Sequence, residues 1–266
     1  MSLNLRQTDL LKEVRVCGAL TLEQLSVQLG VTLQTVRRDV QRMADEGLLT
    51  RFHGGVRVPS STTENIAYQH RENLNADAKA RIAQQISAAI PNDCSLILNI
   101  GTTTEAVARA LLHHSGLRVI TNNLNVATIL SANSRSEVII VAGVVRPRDR
   151  GIVGEAAVDF IRQFKVDFAI VGISGIEVDG SLRDYDFHEV KVSQTIIRHA
   201  REVWLAADLS KFNRPALAEV GNLSQIDRLY TDGLPPEPFP TLLAEAQVRL
   251  QIAGHRHDLH TSKVDP

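Results

Sequence analysis

Through the first fifty positions the apolar residues recur at a helical spacing. Val36, Val40, Met43 and Ala44 stand at i, i+4, i+7 and i+8, one face of a helix over 33–46. The same reading places helices over 7–17 and 22–29. Thr21-Leu22-Glu23-Gln24 is a capping-box pattern, in which the Thr21 hydroxyl accepts from the Gln24 amide while the Gln24 side chain reaches back. Gly30 is suited to stop the second helix and Thr32 to cap the third, leaving a connection of about three residues. Two helices joined by so short a turn make a helix-turn-helix. Apolar stretches at 48–52 and 56–58 flank His53-Gly54-Gly55, which predicts a small glycine-turned hairpin, the wing of a winged helix.

Pro59-Ser60-Ser61-Thr62-Thr63-Glu64-Asn65 is polar and aperiodic, so residues 59–75 are expected to link two domains. Beyond it the grammar changes. A helix over 77–89 leads to an apolar strand at 95–100, followed by strands near 117–121, 137–142, 166–171, 202–207 and 228–231. Helical stretches fall between them near 104–113, 125–132, 155–164, 187–199 and 241–250. Apolar strands alternating with helices predict an α/β domain with a mainly parallel sheet covered on both faces. The expected division is a small N-terminal winged helix-turn-helix at 1–58, the linker, a C-terminal domain at 76–251 and a polar tail at 252–266. His255, His257 and His260 in that tail admit a metal site, but no carboxylate-rich cluster accompanies them, and a solvated tail is the reading adopted.

Composition narrows the class. The 266 residues are 44% hydrophobic and 22% charged, which excludes a wholly disordered or collagen-like chain. No apolar run approaches the roughly 18 residues needed to span a bilayer, and residues 1–7 lack the basic region and apolar core of a signal peptide. A cytoplasmic location without a membrane partner is therefore expected. Cys17 and Cys94 have apolar neighbours and no metal-ligand spacing, which favours free buried thiols. The formal net charge of −1 gives no hint of a nucleic-acid partner, yet residues 1–58 hold eight Lys/Arg against six Asp/Glu. From 48 to 58, Arg51, His53 and Arg57 stand without any acid, and local sign matters more for DNA than the total.

The apolar stripe of the third helix turns Gln34, Arg38 and Gln41 outward, with Arg37 and Arg42 on the flanks. The N-terminal end of such a helix enters the major groove, where Gln pairs with adenine and Arg with guanine. Base reading is assigned to Gln34 and Arg38, and phosphate positioning to Thr35, Arg37, Arg51 and His53. Thr32, Gln41, Gly54 and Gly55 complete the expected DNA-binding set. The competing reading is a surface helix with ordinary solvated charges.

In the second domain the strand at 95–100 runs into Gly101-Thr102-Thr103-Thr104 and then a helix beginning near Glu105. Such a turn offers backbone N–H groups and three hydroxyls at a positive helix terminus, suited to a phosphate dianion. No lysine follows in the Walker pattern, which disfavours a nucleoside-triphosphatase loop. Asn122 and Asn123, then Gly172, Ser174 and Gly175, then Asp208 and Lys211 all follow strand carboxyl ends, where ligands collect in open α/β sheets. The asparagine amides suit hydroxyls and Lys211 adds a cation; a surface charge for Lys211 and a turn or cap role for Asp208 stand beside these readings. No cofactor or resident metal is expected.

Thr32-Leu33-Gln34-Thr35-Val36-Arg37-Arg38-Asp39-Val40 and Glu46-Gly47-Leu48-Leu49-Thr50-Arg51-Phe52-His53-Gly54-Gly55 resemble the signature of the DeoR family of bacterial transcriptional repressors. The departure is Phe52, where the resemblance implies a second histidine. Gly151-Ile152-Val153-Gly154-Glu155-Ala156, Gly172-Ile173-Ser174-Gly175-Ile176 and Asp208-Leu209-Ser210-Lys211-Phe212 extend the likeness over about residues 6–250. The resemblance implies a sugar-phosphate-sensing domain with a fold related to ribose-5-phosphate isomerase. It also implies repression of glycerol-3-phosphate metabolism, double-stranded operator DNA as partner, a homodimer or homotetramer, and sn-glycerol 3-phosphate as inducer. A DeoR-type repressor sensing another sugar phosphate is one alternative. A second is a sugar-phosphate isomerase with an accessory helical domain, using a carboxylate among Asp184, Asp186, Glu189 and Asp208. A third gives the domain oligomerisation alone.

Overall fold

The computed structural model describes residues 3–17, 19–59, 62 and 65–254. The histidine-bearing segment 255–266 lies outside the described residues. The chain opens with α1 (Leu5–Cys17), β1 (Ala19–Thr21), α2 (Leu22–Leu29), α3 (Leu33–Asp45), β2 (Thr50–Phe52) and β3 (Gly55–Arg57). The capping box is formed as expected: Gln24 N donates to Thr21 Oγ1 at 3.1 Å and Thr21 N to Gln24 Oε1 at 2.8 Å. Gly30 closes α2 at φ 62°, a left-handed conformation that costs glycine little. Thr35 N donates to Thr32 Oγ1 at 3.3 Å, fixing the start of α3. β1 pairs antiparallel with β3, which makes β3 the middle strand of the wing. That pairing escapes the sequence pattern because three residues carry no alternation. Leu10, Leu25, Val36, Val40, Met43 and Val56 close one small core. Burial of each such side chain is worth about 1.5–3 kcal/mol, so a module of this size depends on every one of them.

Within the segment expected to be a linker lies a short helix, α4 (Tyr68–Asn73). Then follow α5 (Ala76–Ala89), β4 (Ser95–Leu98), α6 (Thr102–Ala110), β5 (Arg118–Thr121), α7 (Leu124–Leu130), β6 (Glu137–Ile140), β7 (Val144–Arg146), β8 (Gly151–Val153), α8 (Glu155–Ile161) and β9 (Val166–Gly172). The remainder comprises β10 (Gly175–Ile176), β11 (Ser181–Asp184), α9 (Phe187–Arg198), β12 (Ala200–Ala206), β13 (Ala218–Asn222), β14 (Arg228–Thr231), α10 (Phe239–Glu245) and β15 (Arg249–Ile252).

Seven strands form a parallel sheet in the order β15-β14-β12-β9-β4-β5-β6. From β4 the chain steps through β5 to β6, returns to place β9 on the other side of β4, and steps outward to β15. The order therefore reverses between β4 and β9, the place where open α/β sheets leave a crevice. Alternation along the strands feeds two cores. Leu96 and Leu98 pack with Ile82, Ile86 and Val107 on one face, whereas Ile97 packs with Ala169, Val171 and Val158 on the other.

Two antiparallel additions were not legible as strands: the β7–β8 hairpin and the small sheet β10-β11-β13. The expected helix over 241–250 is corrected. α10 stops at Glu245, Gln247 adopts φ 58°, and Arg249–Ile252 becomes an edge strand beside β14. A left-handed residue cannot continue a helix, and the domain runs past 251, with Ala253 N donating to Thr231 O at 2.7 Å. Both cysteines are free, but half-buried rather than buried. Among the described residues no helix is long and apolar enough to cross a membrane.

Candidate functional site

On α3 the side chains of Gln34, Arg37, Arg38 and Gln41 are exposed and Thr35 half-buried, while Val36, Val40 and Met43 are buried. The outward set thus occupies the face that its spacing predicts. Gln41 bridges the helix to the wing: its amide donates to Asp45 at 2.7 Å and its carbonyl accepts from Arg51 on β2. His53 and Gly54 form the exposed tip, with Gly54 at φ 75°. Gly55 is buried under Phe52, whose ring would come within 2.3 Å of an added Cβ. Phe52 is therefore a packing residue that covers Gly55.

The second site lies at the strand-order reversal. α6 begins at Thr102, ahead of the expected start near 104–105, so the amides of Thr102, Thr103 and Thr104 fall in a first turn that leaves its N–H groups without intrahelical partners. A cleft of about 30 Å³ is lined by Gly101, Thr102, Thr103, Gly172, Ser174 and Lys211. It shares Asn65, Arg71, Arg148 and Asp149 with an outer cavity of about 690 Å³. Six of the expected ligand residues are thereby brought together from three loops.

The other five do not line the cleft, and each has a structural task. Thr104 donates from its hydroxyl to the carbonyls of Asn99 and Gly101, both at 2.8 Å. Asn122 donates to Ile152 O at 3.1 Å, while its Oδ1 is buried without a partner, and Asn123 caps α7 while donating to Glu105 at 3.1 Å. Gly175 sits against Arg214, whose carbonyl would meet an added Cβ at 1.9 Å. Asp208 is buried beneath Lys211, where its carboxylate accepts from Ser210 N and from Asn75 Nδ2, both at 3.0 Å.

The cleft carries charge of both signs: Arg71, Arg148 and Lys211 line it together with Asp149, Asp184 and Glu189. Burial, reinforced by repulsion from Arg214, Lys79 and Arg71 and opposed by Asp208, pushes the Lys211 ammonium down to about 7. Burial likewise lowers Lys79 to about 8, with Asp208, Glu105 and Glu72 opposing the fall and Arg71 adding to it. Asp208 loses hydration too, but Lys211, Ser210 and Lys79 hold its carboxyl below the ordinary range. Lys79 and the Thr102 hydroxyl both donate to the main-chain carbonyl of Arg71, tying α4 to α5 and to the start of α6. On the far wall Arg146 is a hub, bonded to Asp149 at 2.7 and 2.8 Å, to Asp186 at 2.7 Å and to Glu189. Burial and Asp184 nevertheless raise Glu189 to about 8.

Sequence reasoning missed Arg71, Lys79, Arg148 and Arg214. The run Arg146-Pro147-Arg148-Asp149-Arg150 was a readable basic signal; Arg71 was hidden by assigning its segment to a linker.

Residues 6–62 match the family described as the DeoR-like helix-turn-helix domain, and residues 74–233 match the DeoR C terminal sensor domain. The chain belongs to the DeoR family. It is 42% identical over 247 residues to the glycerol-3-phosphate regulon repressor of Escherichia coli, covering 93% of this chain and 98% of that one. The repressor of the same name from Haemophilus influenzae is 45% identical over 254 residues, covering 96% and 98%. A solved ribose 5-phosphate isomerase from Methanocaldococcus jannaschii has a TM-score of 0.39 at 14% identity, covering 52% of this chain and 55% of that one. This DeoR protein is a transcriptional repressor with an N-terminal DNA-binding module and a C-terminal sensor domain.

Proposed function

We propose that this DeoR repressor occupies operator DNA in the cytoplasm as a homodimer or homotetramer and releases it when sn-glycerol 3-phosphate fills the cleft at Gly101–Thr103. Gln34 and Arg38 read base edges, and Thr35, Arg37, Arg51 and His53 position phosphates. The observation that carries the reading is Lys211, its ammonium buried with Lys79 and Arg214 close by and Asp208 opposing them, in a cleft walled by the first turn of α6. Burial strips hydration from the Lys211 ammonium, and a phosphate dianion at the first turn of α6 favours its charged form. The name of the ligand rests on the relatives, which are called glycerol-3-phosphate regulon repressors.

Release demands that the ligand favour the non-operator state. Moving a population from mostly bound to mostly free takes about 5.5 kcal/mol of differential affinity, which several sites per oligomer share. The test is an operator gel shift titrated with sn-glycerol 3-phosphate, with glycerol, fructose 6-phosphate and ribose 5-phosphate as comparisons. Release by sn-glycerol 3-phosphate at concentrations where glycerol does nothing supports the reading. Release only by one of the other esters reassigns the inducer; release by none overturns the sensor assignment.

A further inference from the structure

Arg57 closes β3, the middle strand of the wing, yet its side chain is buried. It leaves the DNA-binding module and enters the sensor domain, where Nη2 donates to Asn213 O at 2.8 Å and Nη1 to Ser210 O at 3.4 Å. Its Nε is buried without a partner. The two acceptors belong to the turn that follows β12. That turn starts at Asp208, carries Lys211 into the cleft and ends near Arg214, so one short segment touches both the ligand site and the wing. Phe212 anchors its middle, stacking edge-on against Phe239 with centroids 4.8 Å apart.

The clasp is poised rather than rigid. Its acceptors are carbonyls, and the charge that acts on it most strongly is Arg214, a cation; burial and that repulsion lower the guanidinium to about 10. A buried charge held without a counter-ion retains little margin. The same turn is tied to the interdomain segment, with Arg214 donating to Asn65 at 2.9 Å and Leu217 N to Thr62 O at 3.0 Å. Asn65 and Lys211 also wall the inner cleft, whose free space of about 30 Å³ suits a water or two. A phosphate ester entering there displaces those walls, and with them the carbonyls that Arg57 grips.

We propose that Arg57 couples the two domains: its clasp on the 210–213 turn holds the wing in the operator-reading position, and a phosphate ester beside Lys211 shifts the turn and frees the wing. This rests on the sugar-phosphate reading above and adds the route by which the site speaks to DNA. Arg57 is a positioning residue here, since its guanidinium faces the sensor domain and not the exposed surface of α3.

The test uses the full chain and compares operator affinity with and without sn-glycerol 3-phosphate in wild type, Arg57→Ala and Arg57→Lys. Wild type is expected to show a change of about 5- to 150-fold for each ligand site in the oligomer, the usual range of allosteric coupling. Arg57→Ala is expected to bind sn-glycerol 3-phosphate at least as tightly as wild type by calorimetry, to hold operator as weakly as the liganded wild type, and to show a ratio within about twofold of one. Coupling is reciprocal, so operator DNA should weaken ligand binding in wild type and leave it unchanged in the variant. Arg57→Lys, which keeps the charge but not the fork across two carbonyls, should fall between them. An unchanged ratio in Arg57→Ala overturns the proposal, even if operator affinity falls, because that pattern marks a plain DNA contact. A wild type that responds to no phosphate ester overturns the sensor reading itself, and this coupling with it. Should Arg57→Ala not fold, Arg57→Gln is scored in the same way.

Discussion

Asp39 on the recognition helix accepts a hydrogen bond from Arg6 Nε at 2.6 Å, which ties α3 to α1 across the base of the DNA-binding module. The carboxylate is buried, and Gln7 Nε2 donates to its other oxygen at 3.2 Å. Replacing it leaves a buried amide without its acceptor and frees the angle between the two helices. Asp39→Ala is expected to lower the melting midpoint of the N-terminal module by roughly 5 °C, the shift typical of losing one such interaction in a small domain. Operator binding should weaken for specific and scrambled DNA together, while sn-glycerol 3-phosphate titrates as before. A variant with unaltered melting and operator affinity would remove this pair from the list of what orients α3.

Arg38 differs from Asp39 in facing outward. Arg38→Ala is expected to cost about 1–3 kcal/mol of discrimination between operator and scrambled sequence, the worth of one good bidentate base contact. Arg37→Ala, at a phosphate-positioning residue, should instead weaken binding to all sequences and reduce the salt dependence by about one unit of slope. Competition gel shifts at two salt concentrations separate the two patterns. Full sequence preference in Arg38→Ala rejects its base-reading role.

At the cleft, Lys211→Ala removes a cation from the lining, and Thr102→Ala removes a hydroxyl beside the first-turn amides. A hydrogen bond to a charged group contributes about 1.5–3 kcal/mol, so each variant should bind sn-glycerol 3-phosphate about tenfold to a hundredfold more weakly. Both are expected to repress normally and to resist induction. Normal induction in both would remove the phosphate from this loop.

How much of this was readable in advance depends on the range of the interaction. The α2–α3 pair was legible because its signals are local: Thr21 and Gln24 satisfy each other three residues apart, and the buried stripe of α3 follows from helical geometry alone. Asp39 stood in the quoted motif, but its role was not legible, since its partners lie 32 and 33 residues away. The loop at Gly101 stood out by its place after a strand, whereas Asn123, which follows the same rule, turns inward to cap α7 and to bond Glu105. Position at a strand's carboxyl end does not say which way a side chain turns. Arg71 was missed for a different reason. Its segment looks polar and aperiodic, and only the folded chain reveals that its carbonyl is held by Thr102 and Lys79.

The cation at Lys211 also sets a pH dependence. Burial brings Lys211 down to about 7, with Arg214, Lys79 and Arg71 as like charges and Asp208 as the opposing one. A phosphate dianion favours the protonated form and so raises that value on binding. Below about pH 7 the lysine is already charged and nothing is gained from further acid; above it, binding must take up a proton, and affinity falls with each unit of pH. On the acid side a phosphomonoester loses its second charge below about pH 6, so affinity should be greatest between about 6 and 7. For the unliganded protein the sign is reversed. A lysine whose folded value lies below its unfolded one gives a stability that rises between about pH 7 and 10.4. Glu189, raised to about 8 on the opposite wall, titrates in the same interval, so assignment requires a variant. Calorimetry at pH 8 in buffers of differing ionisation enthalpy should report proton uptake in wild type. In Lys211→Met that uptake should shrink and the alkaline decline flatten, at lower affinity throughout. An alkaline limb that persists unchanged in Lys211→Met would move the titrating group to Glu189 or Lys79 and take Lys211 out of the phosphate's reach.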